Sequence, residues 1–79
     1  MRLLRLGLGN VNTTVGATDS NVNRAIAICH KLAQEQVTIA ALPEQVIGGY
    51  PPEDLLLWPG FVRAQAEGLH KLAQATASL

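Results

Sequence analysis

Leu4, Leu6 and Leu8 alternate with Arg5 and Gly7 at the start of the chain. Alternation with a period of two predicts a strand over residues 3–9. Gly7 and Gly9 weaken that strand or mark a close approach of another backbone. A polar loop follows, with Asn10, Asn12, Thr13, Thr14 and Gly16, and Asp19, Ser20 and Asn21 are candidates for starting a helix. Val22, Ala25, Ile26, Cys29, Leu32 and Ala33 then fall on one face of a 3.6-residue period, with Asn23, Arg24, Lys31, Gln34 and Glu35 largely opposite. Val37 to Leu42 is short, apolar and unbroken, and it ends at Pro43. Such a run suits a buried parallel strand, which loses its alternation when both faces are covered. Strand, helix and strand in this order predict a right-handed βαβ unit.

Residues 43–60 form a long connection that holds all four prolines. Within it, Pro52 to Leu57 has the makings of a short helix, with proline first and Glu53 and Asp54 in the opening turn, and Pro59 would stop it. From Phe61 a second helix is expected to run to Leu79, with Val62, Ala66, Leu69, Leu72 and Ala73 on its apolar face. It meets no glycine cap and no basic last turn. Two parallel strands do not close a core by themselves. The chain is therefore expected to be the opening βαβα portion of a larger α/β domain. His30 to Gln34 recurs letter for letter as His70 to Gln74, but the flanks differ. Two amphipathic helices drawing on the same helix formers account for this better than a repeat architecture.

Composition narrows the function classes. The 79 residues carry six basic and six acidic side chains and no net charge, so nucleic acid lacks its main electrostatic attraction. Aromatics make up 4% of the chain, which leaves little for stacking on bases. One cysteine excludes an internal disulfide framework and a cysteine-rich zinc site. No apolar run is long enough to span a membrane. Met1 to Leu6 starts like a signal peptide, but Gly7, Gly9, Asn10 and Asn12 interrupt it, so a cytoplasmic location is expected.

In open α/β sheets, sites form beyond the carboxyl ends of the strands. Leu42-Pro43-Glu44 places a carboxylate there, directly after the second strand. A glutamate held against an apolar strand end is partly desolvated, which raises its proton affinity and suits it to accept a proton. The alternative is an exposed loop glutamate. Cys29 lies mid-helix on the apolar face as a small core residue, and Lys31 and Lys71 fall on solvated faces. Glu53 and Asp54 fit a helix start better than a magnesium site. Trp58 and Phe61 are expected to pack the connection onto the body. His30 and His70 read as surface residues. Gly7-Leu8-Gly9 lacks the third glycine of a dinucleotide fingerprint.

Asn12-Thr13-Thr14-Val15-Gly16, then Asn21, then Leu42-Pro43-Glu44, then Gly49-Tyr50-Pro51-Pro52-Glu53-Asp54-Leu55-Leu56 occur in that order. The series resembles the start of a nitrilase-superfamily (carbon–nitrogen hydrolase) domain over about residues 3–62. The run from Gly49 to Leu56 is the specific part, and it resembles the glutaminase domains of glutamine-dependent NAD⁺ synthetases. Ala17, Thr38, Leu42, Gln45 and Gly48 depart from the usual pattern, the last two in the loop beside Glu44.

The resemblance implies a four-layered α-β-β-α sandwich, of which residues 1–79 are the N-terminal segment. It implies a Glu-Lys-Cys catalytic set in which Glu44 is the general base and the lysine and cysteine lie beyond Leu79. It also implies that Tyr50 borders a glutamine pocket; the alternative is a loop aromatic packed on the sheet end. Glutamine would be the substrate of the complete domain. The ammonia released would serve a second domain that uses ATP and Mg²⁺ to amidate nicotinic acid adenine dinucleotide, with no cofactor bound in this segment. A cytoplasmic homo-oligomer without nucleic-acid or membrane partners is expected. The 79-residue chain alone is expected to be inactive. A nitrilase-type amidase acting without ATP and a non-catalytic partner subunit are the other candidates.

Overall fold

The computed structural model describes residues 3–79. Met1 and Arg2, the first positions of the signal-like start, lie outside the described residues. The elements run β1 (Leu6–Leu8), α1 (Thr18–Gln34), β2 (Ile39–Ala41), a short 3-10 helix (Glu53–Leu57) and α2 (Pro59–Thr76). The two strands pair in parallel, with Leu6 opposite Ile39, Gly7 opposite Ala40 and Leu8 opposite Ala41. The chain is a small α/β unit with a two-stranded parallel sheet and two long helices. No helix among the described residues is long and apolar enough to cross a membrane.

The glycines of β1 mark a close approach. Gly7 is buried while Leu6 and Leu8 are exposed. A methyl group at Gly7 would lie 3.0 Å from Leu32 Cδ2 and 3.0 Å from Val37 Cγ1. At Gly9 it would lie 2.9 Å from Ile28 Cγ2 and 2.5 Å from Leu42 Cδ2. The glycine face of β1 is thus the one that receives α1. The leucine face points away from it, with Leu8 83% exposed and Ile39 of β2 55% exposed. The expectation of a buried second strand is corrected here: β2 is parallel, but all three of its residues are exposed. A parallel strand is buried only when both faces and both edges are covered, and in this chain β2 has one neighbouring strand.

α1 follows its predicted face, with Val22 and Ala25 fully buried and Ile26, Cys29, Leu32 and Ala33 partly so. Its start differs from the expectation. Ala17 is the N-cap, without a side-chain cap, and Asp19, Ser20 and Asn21 are already helical. The Asn21 side chain is used elsewhere, as described below. Arg5 ties the far end of α1 to the sheet, donating from Nη1 to the Glu35 carbonyl at 2.7 Å.

α2 starts two residues earlier than predicted. Pro59 does not separate the 3-10 helix from α2 by breaking the chain; it occupies the first turn of α2, where its missing N–H has no partner to lose. α2 is also rotated relative to its predicted face. Val62, Ala66, Leu69 and Ala73 are exposed, and the row turned inward is Phe61, Gln65, Gly68 and Leu72. The two rows are offset by one residue, about 100° around the helix. Gly68 is the physical reason: a methyl group there would lie 2.9 Å from both Val22 Cγ2 and Ile47 Cγ2. The helix turns Gly68 toward α1, and Val62 and Leu69 are left outward. Lys71 Nζ donates across the helix pair to Asn23 Oδ1 at 3.0 Å.

The unit encloses little. Val22 and Ala25 are the buried apolar side chains among the described residues. The chain exposes 5819 Å², whereas a compact monomer of its mass exposes about 4,600 Å². Its radius of gyration is 13.7 Å, against about 12 Å for a globule of this length.

The two faces of β1 predict opposite mutational responses. Gly9→Val is expected to wedge α1 from the sheet and cost about 1–3 kcal/mol, as overpacking does. Leu8→Thr, one position away on the open face, is expected to change stability by less than about 0.5 kcal/mol. Urea unfolding of the chain followed by circular dichroism distinguishes them, and equal losses would contradict this packing.

Candidate functional site

β2 ends at Ala41, and Leu42 and Pro43, both half-buried, carry the chain out of the sheet to Glu44. Glu44 therefore stands beyond the carboxyl end of a parallel strand. Residues 44–48 form a turn, closed by the Gly49 N–H donating to the Gln45 carbonyl at 2.7 Å. The two ends of this turn meet different surroundings. Gly48 and Gly49 are buried, whereas Glu44 and Gln45 are exposed. The expected desolvation of Glu44 is corrected accordingly: in this chain it has the exposed loop position. The turn packs its glycine end against α2 and the loop after β1, which leaves the carboxylate end in water.

Three features fasten that turn. The Gly16 N–H donates to the Gly48 carbonyl at 2.9 Å. Gly49 has φ +87°, and a methyl group on it would lie 2.6 Å from Val15 Cα and 2.8 Å from Val15 N. The third is Asn21. Its side chain has no solvent exposure, yet it is polar. Oδ1 accepts from the Thr14 N–H at 2.9 Å, and Nδ2 donates to the Thr14 carbonyl at 2.8 Å and to the Ile47 carbonyl at 2.9 Å. Both amide hydrogens are used, so a buried carboxamide joins the first turn of α1 to two loops at once.

Gly48 faces Phe61 and Gln65; a methyl group there would lie 2.9 Å from Phe61 Cζ and 2.5 Å from Gln65 Oε1. Phe61 packs the connection onto the body as expected. Trp58 does not, being 66% exposed, because it is the extended residue that links the 3-10 helix to α2. Tyr50 directly follows the buried glycines and is 65% exposed, so it is not packed on the sheet end. Glu53 and Asp54 occupy the first turn of the 3-10 helix. Among the described residues no three of His, Cys, Asp and Glu come together as a metal-holding group.

The remaining candidates lie apart from Glu44. Cys29 is mid-helix and half-buried. It lines a groove of about 440 Å³ with Leu32, Val37, Thr38 and Leu79, to which Glu44 does not contribute. Lys31, Lys71, His30 and His70 are exposed on their helices. A second groove, of about 470 Å³, follows β1 and is lined by Asn10, Asn12 and Arg24, whose guanidinium donates to the Asn12 carbonyl. The structural role of Asn21 was the main omission of the sequence reading. Its signal was its place in the row Asn21, Ala25, Ile28, Leu32, where a polar residue shares the inward face of a helix.

The elements and the placement of Glu44 define an α/β protein of the parallel βαβ kind, with a carboxylate at the strand exit. Sequence comparison makes this more particular. Over 79 residues, the whole chain, it is 35% identical to the glutamine-dependent NAD(+) synthetase of Thermotoga maritima. Over 74 residues it is 39% identical to that of Xanthomonas campestris pv. campestris, and over 74 residues 36% identical to that of Xylella fastidiosa. Each of these two matches covers 92% of the chain. The chain is a sequence relative of the glutamine-dependent NAD(+) synthetases and spans about 14% of the length of the curated relatives it matches. No protein-family model and no solved structure matches the chain.

Two glycine substitutions test the fastening of the turn. Gly49→Ala meets backbone atoms that cannot rotate away and a left-handed φ, and is expected to cost about 2–3 kcal/mol. Gly60→Ala, in α2 with nothing within 4 Å of a new methyl group, is expected to gain up to about 1 kcal/mol. Thermal unfolding of the two variants beside the parent checks both signs.

Proposed function

We propose that the chain is the opening segment of the glutaminase domain of a glutamine-hydrolysing NAD⁺ synthetase, and that Glu44 is its general base. The observation that supports this most is the match of the whole chain, at 35% identity, to one such synthetase, together with the position of Glu44 just past β2. The exposed leucine face of the sheet supports a further layer. Leu4, Leu6, Leu8 and Ile39 are all more than half exposed, and apolar area of this kind is worth about 25 cal/mol per Å² when covered. In the proposed α-β-β-α sandwich a second sheet lies against this face, and β2 gains its second neighbour.

A cysteine thiol has an ordinary pKa of about 8.5, so it needs a base to become the nucleophile at neutral pH. The Glu44 carboxylate takes the S–H proton. The thiolate attacks the side-chain amide carbon of glutamine, and the proton returns to the amide nitrogen, which leaves as ammonia. The thioester left behind is hydrolysed by water to glutamate. The lysine and cysteine of this chemistry lie outside residues 1–79, and Cys29, Lys31 and Lys71 do not substitute for them. Tyr50, beside the buried glycines, borders the glutamine pocket. ATP and Mg²⁺ act in a different part of the whole protein, where the ammonia amidates nicotinic acid adenine dinucleotide. Glu53 and Asp54, two adjacent acids in a single turn, do not fit the octahedral oxygen set that magnesium requires. The same reading carries a cytoplasmic, homo-oligomeric protein that binds neither nucleic acid nor membrane.

A graft tests the proposal. Residues 1–79 replace the matching segment of the Thermotoga maritima synthetase, and NAD⁺ formation is measured with glutamine and, separately, with ammonia. The graft is expected to use both. Glu44→Gln is expected to lower glutamine-dependent formation by about 10²–10⁴-fold, the usual range for a general base, and to leave ammonia-dependent formation within about twofold. The isolated chain is expected to release no ammonia from glutamine. Full glutamine use by the Glu44→Gln graft would overturn the assignment.

A further inference from the structure

We infer that Asn21 is the positioning residue of the site: its carboxamide holds the turn that carries Glu44 and thereby fixes the point from which the carboxylate reaches out. This deepens the proposed function and rests on Glu44 being the proton acceptor. Glu44 is exposed, so no packed wall holds its side chain, and what the fold fixes is the backbone of residues 44–48 from which the carboxylate extends. That backbone has a single side-chain fastening among the hydrogen bonds of the described residues, from Asn21 Nδ2 to the Ile47 carbonyl at 2.9 Å. The other two fastenings, the Gly16 N–H donating to the Gly48 carbonyl and Gly49 against Val15, come from the same loop that Asn21 holds through both polar groups of Thr14. All three restraints therefore converge on one amide. Asn21 sits in the first turns of α1, with no solvent exposure, so the anchor is rigid although the turn is on the surface. It touches neither thiol nor glutamine in this scheme; it acts through Glu44. Misplacing a reacting group by about 1 Å costs on the order of 10²-fold in rate.

Asn21→Asp is the informative change. It keeps the shape and the acceptor for the Thr14 N–H, but sets a carboxylate oxygen against the Thr14 and Ile47 carbonyls. In the grafted synthetase, kcat for glutamine hydrolysis is expected to fall about 10–100-fold with KM within about threefold, while ammonia-dependent NAD⁺ formation is retained. The pH midpoint of cysteine alkylation by iodoacetamide is expected to move up toward that of an unassisted thiol, about 8.5. A role confined to folding would lower the fraction of active sites while leaving kcat per active site and that midpoint in place. If Asn21→Asp also abolishes the ammonia reaction, Asn21→Ser, smaller and neutral, is measured by the same criteria. Joint loss of both activities in that variant too, or an unchanged kcat in either folded variant, would overturn the inference. Glu44→Gln run in parallel separates the two claims: activity surviving there defeats the base assignment, whereas activity lost there and retained in Asn21→Asp defeats the positioning role alone.

Discussion

A carboxamide with no access to water ties α1 to two stretches of backbone that have no ladder of their own. The loop after β1 and the turn after β2 lie beyond the sheet, so strand pairing cannot order them. Asn21 supplies the missing partners, giving one acceptor and two donors to Thr14 and Ile47. Each such bond adds only about 1 kcal/mol net, but orphaning a buried partner costs about 1–3 kcal/mol. Losing the side chain would strand three backbone groups together, which makes this one of the few places in the chain where a single residue controls a whole region. No buried side-chain polar atom among the described residues lacks a partner, and Asn21 is the central reason at this end of the molecule.

Glycine does the complementary work. Gly7 and Gly9 let α1 settle on β1, Gly68 lets α2 approach Val22 and Ile47, and Gly49 presses the Glu44 turn onto Val15. At each of these approaches the backbone of one partner carries no side chain. Bulk is sent outward instead: Leu6, Leu8, Ile39, Val62 and Leu69 all face away from the contact between sheet and helices. The arrangement explains how few large side chains are buried although nearly half of the residues are hydrophobic. The apolar surface is apportioned to two outer faces, one on the sheet and one on α2.

The order of elements was legible because each carries its own period. Alternation located β1, a 3.6-residue repeat located both helices, and an unbroken apolar run closed by Pro43 located β2 and the carboxylate after it. Orientation was not legible. A period of two says that a strand has two faces without saying which one meets a helix, and in β1 it is the glycine face that does. The same competition rotated α2 by one residue: its row of valine, alanine and leucine was the more hydrophobic, but the row containing Gly68 allowed the tighter approach. Asn21 was read as a helix starter from its residue type, and only its shared face with Ala25, Ile28 and Leu32 betrays a buried use. The exposure of Glu44 had no local signal at all. Burial depends on what stands opposite, and residues 42–44 describe only the side they occupy.

This divides the proposed chemistry into two parts that can be separated in space. Placement is local: Asn21 of α1, with Gly16 and Gly49 of the loops, holds the backbone from which Glu44 extends. Strength is not local. A carboxylate in water is a weak base toward a thiol, and its proton affinity rises only when walls exclude solvent or a partner sulfur shares the proton. The exposed leucine face of the sheet is the apolar surface that further layers of the proposed domain would cover. On this view the segment contributes a carboxylate on a fixed backbone, and the remainder of the proposed domain contributes the walls around it. Geometry set before assembly costs little at the moment of reaction, which gives a physical reason for a buried, fully bonded asparagine to stand behind an exposed acid.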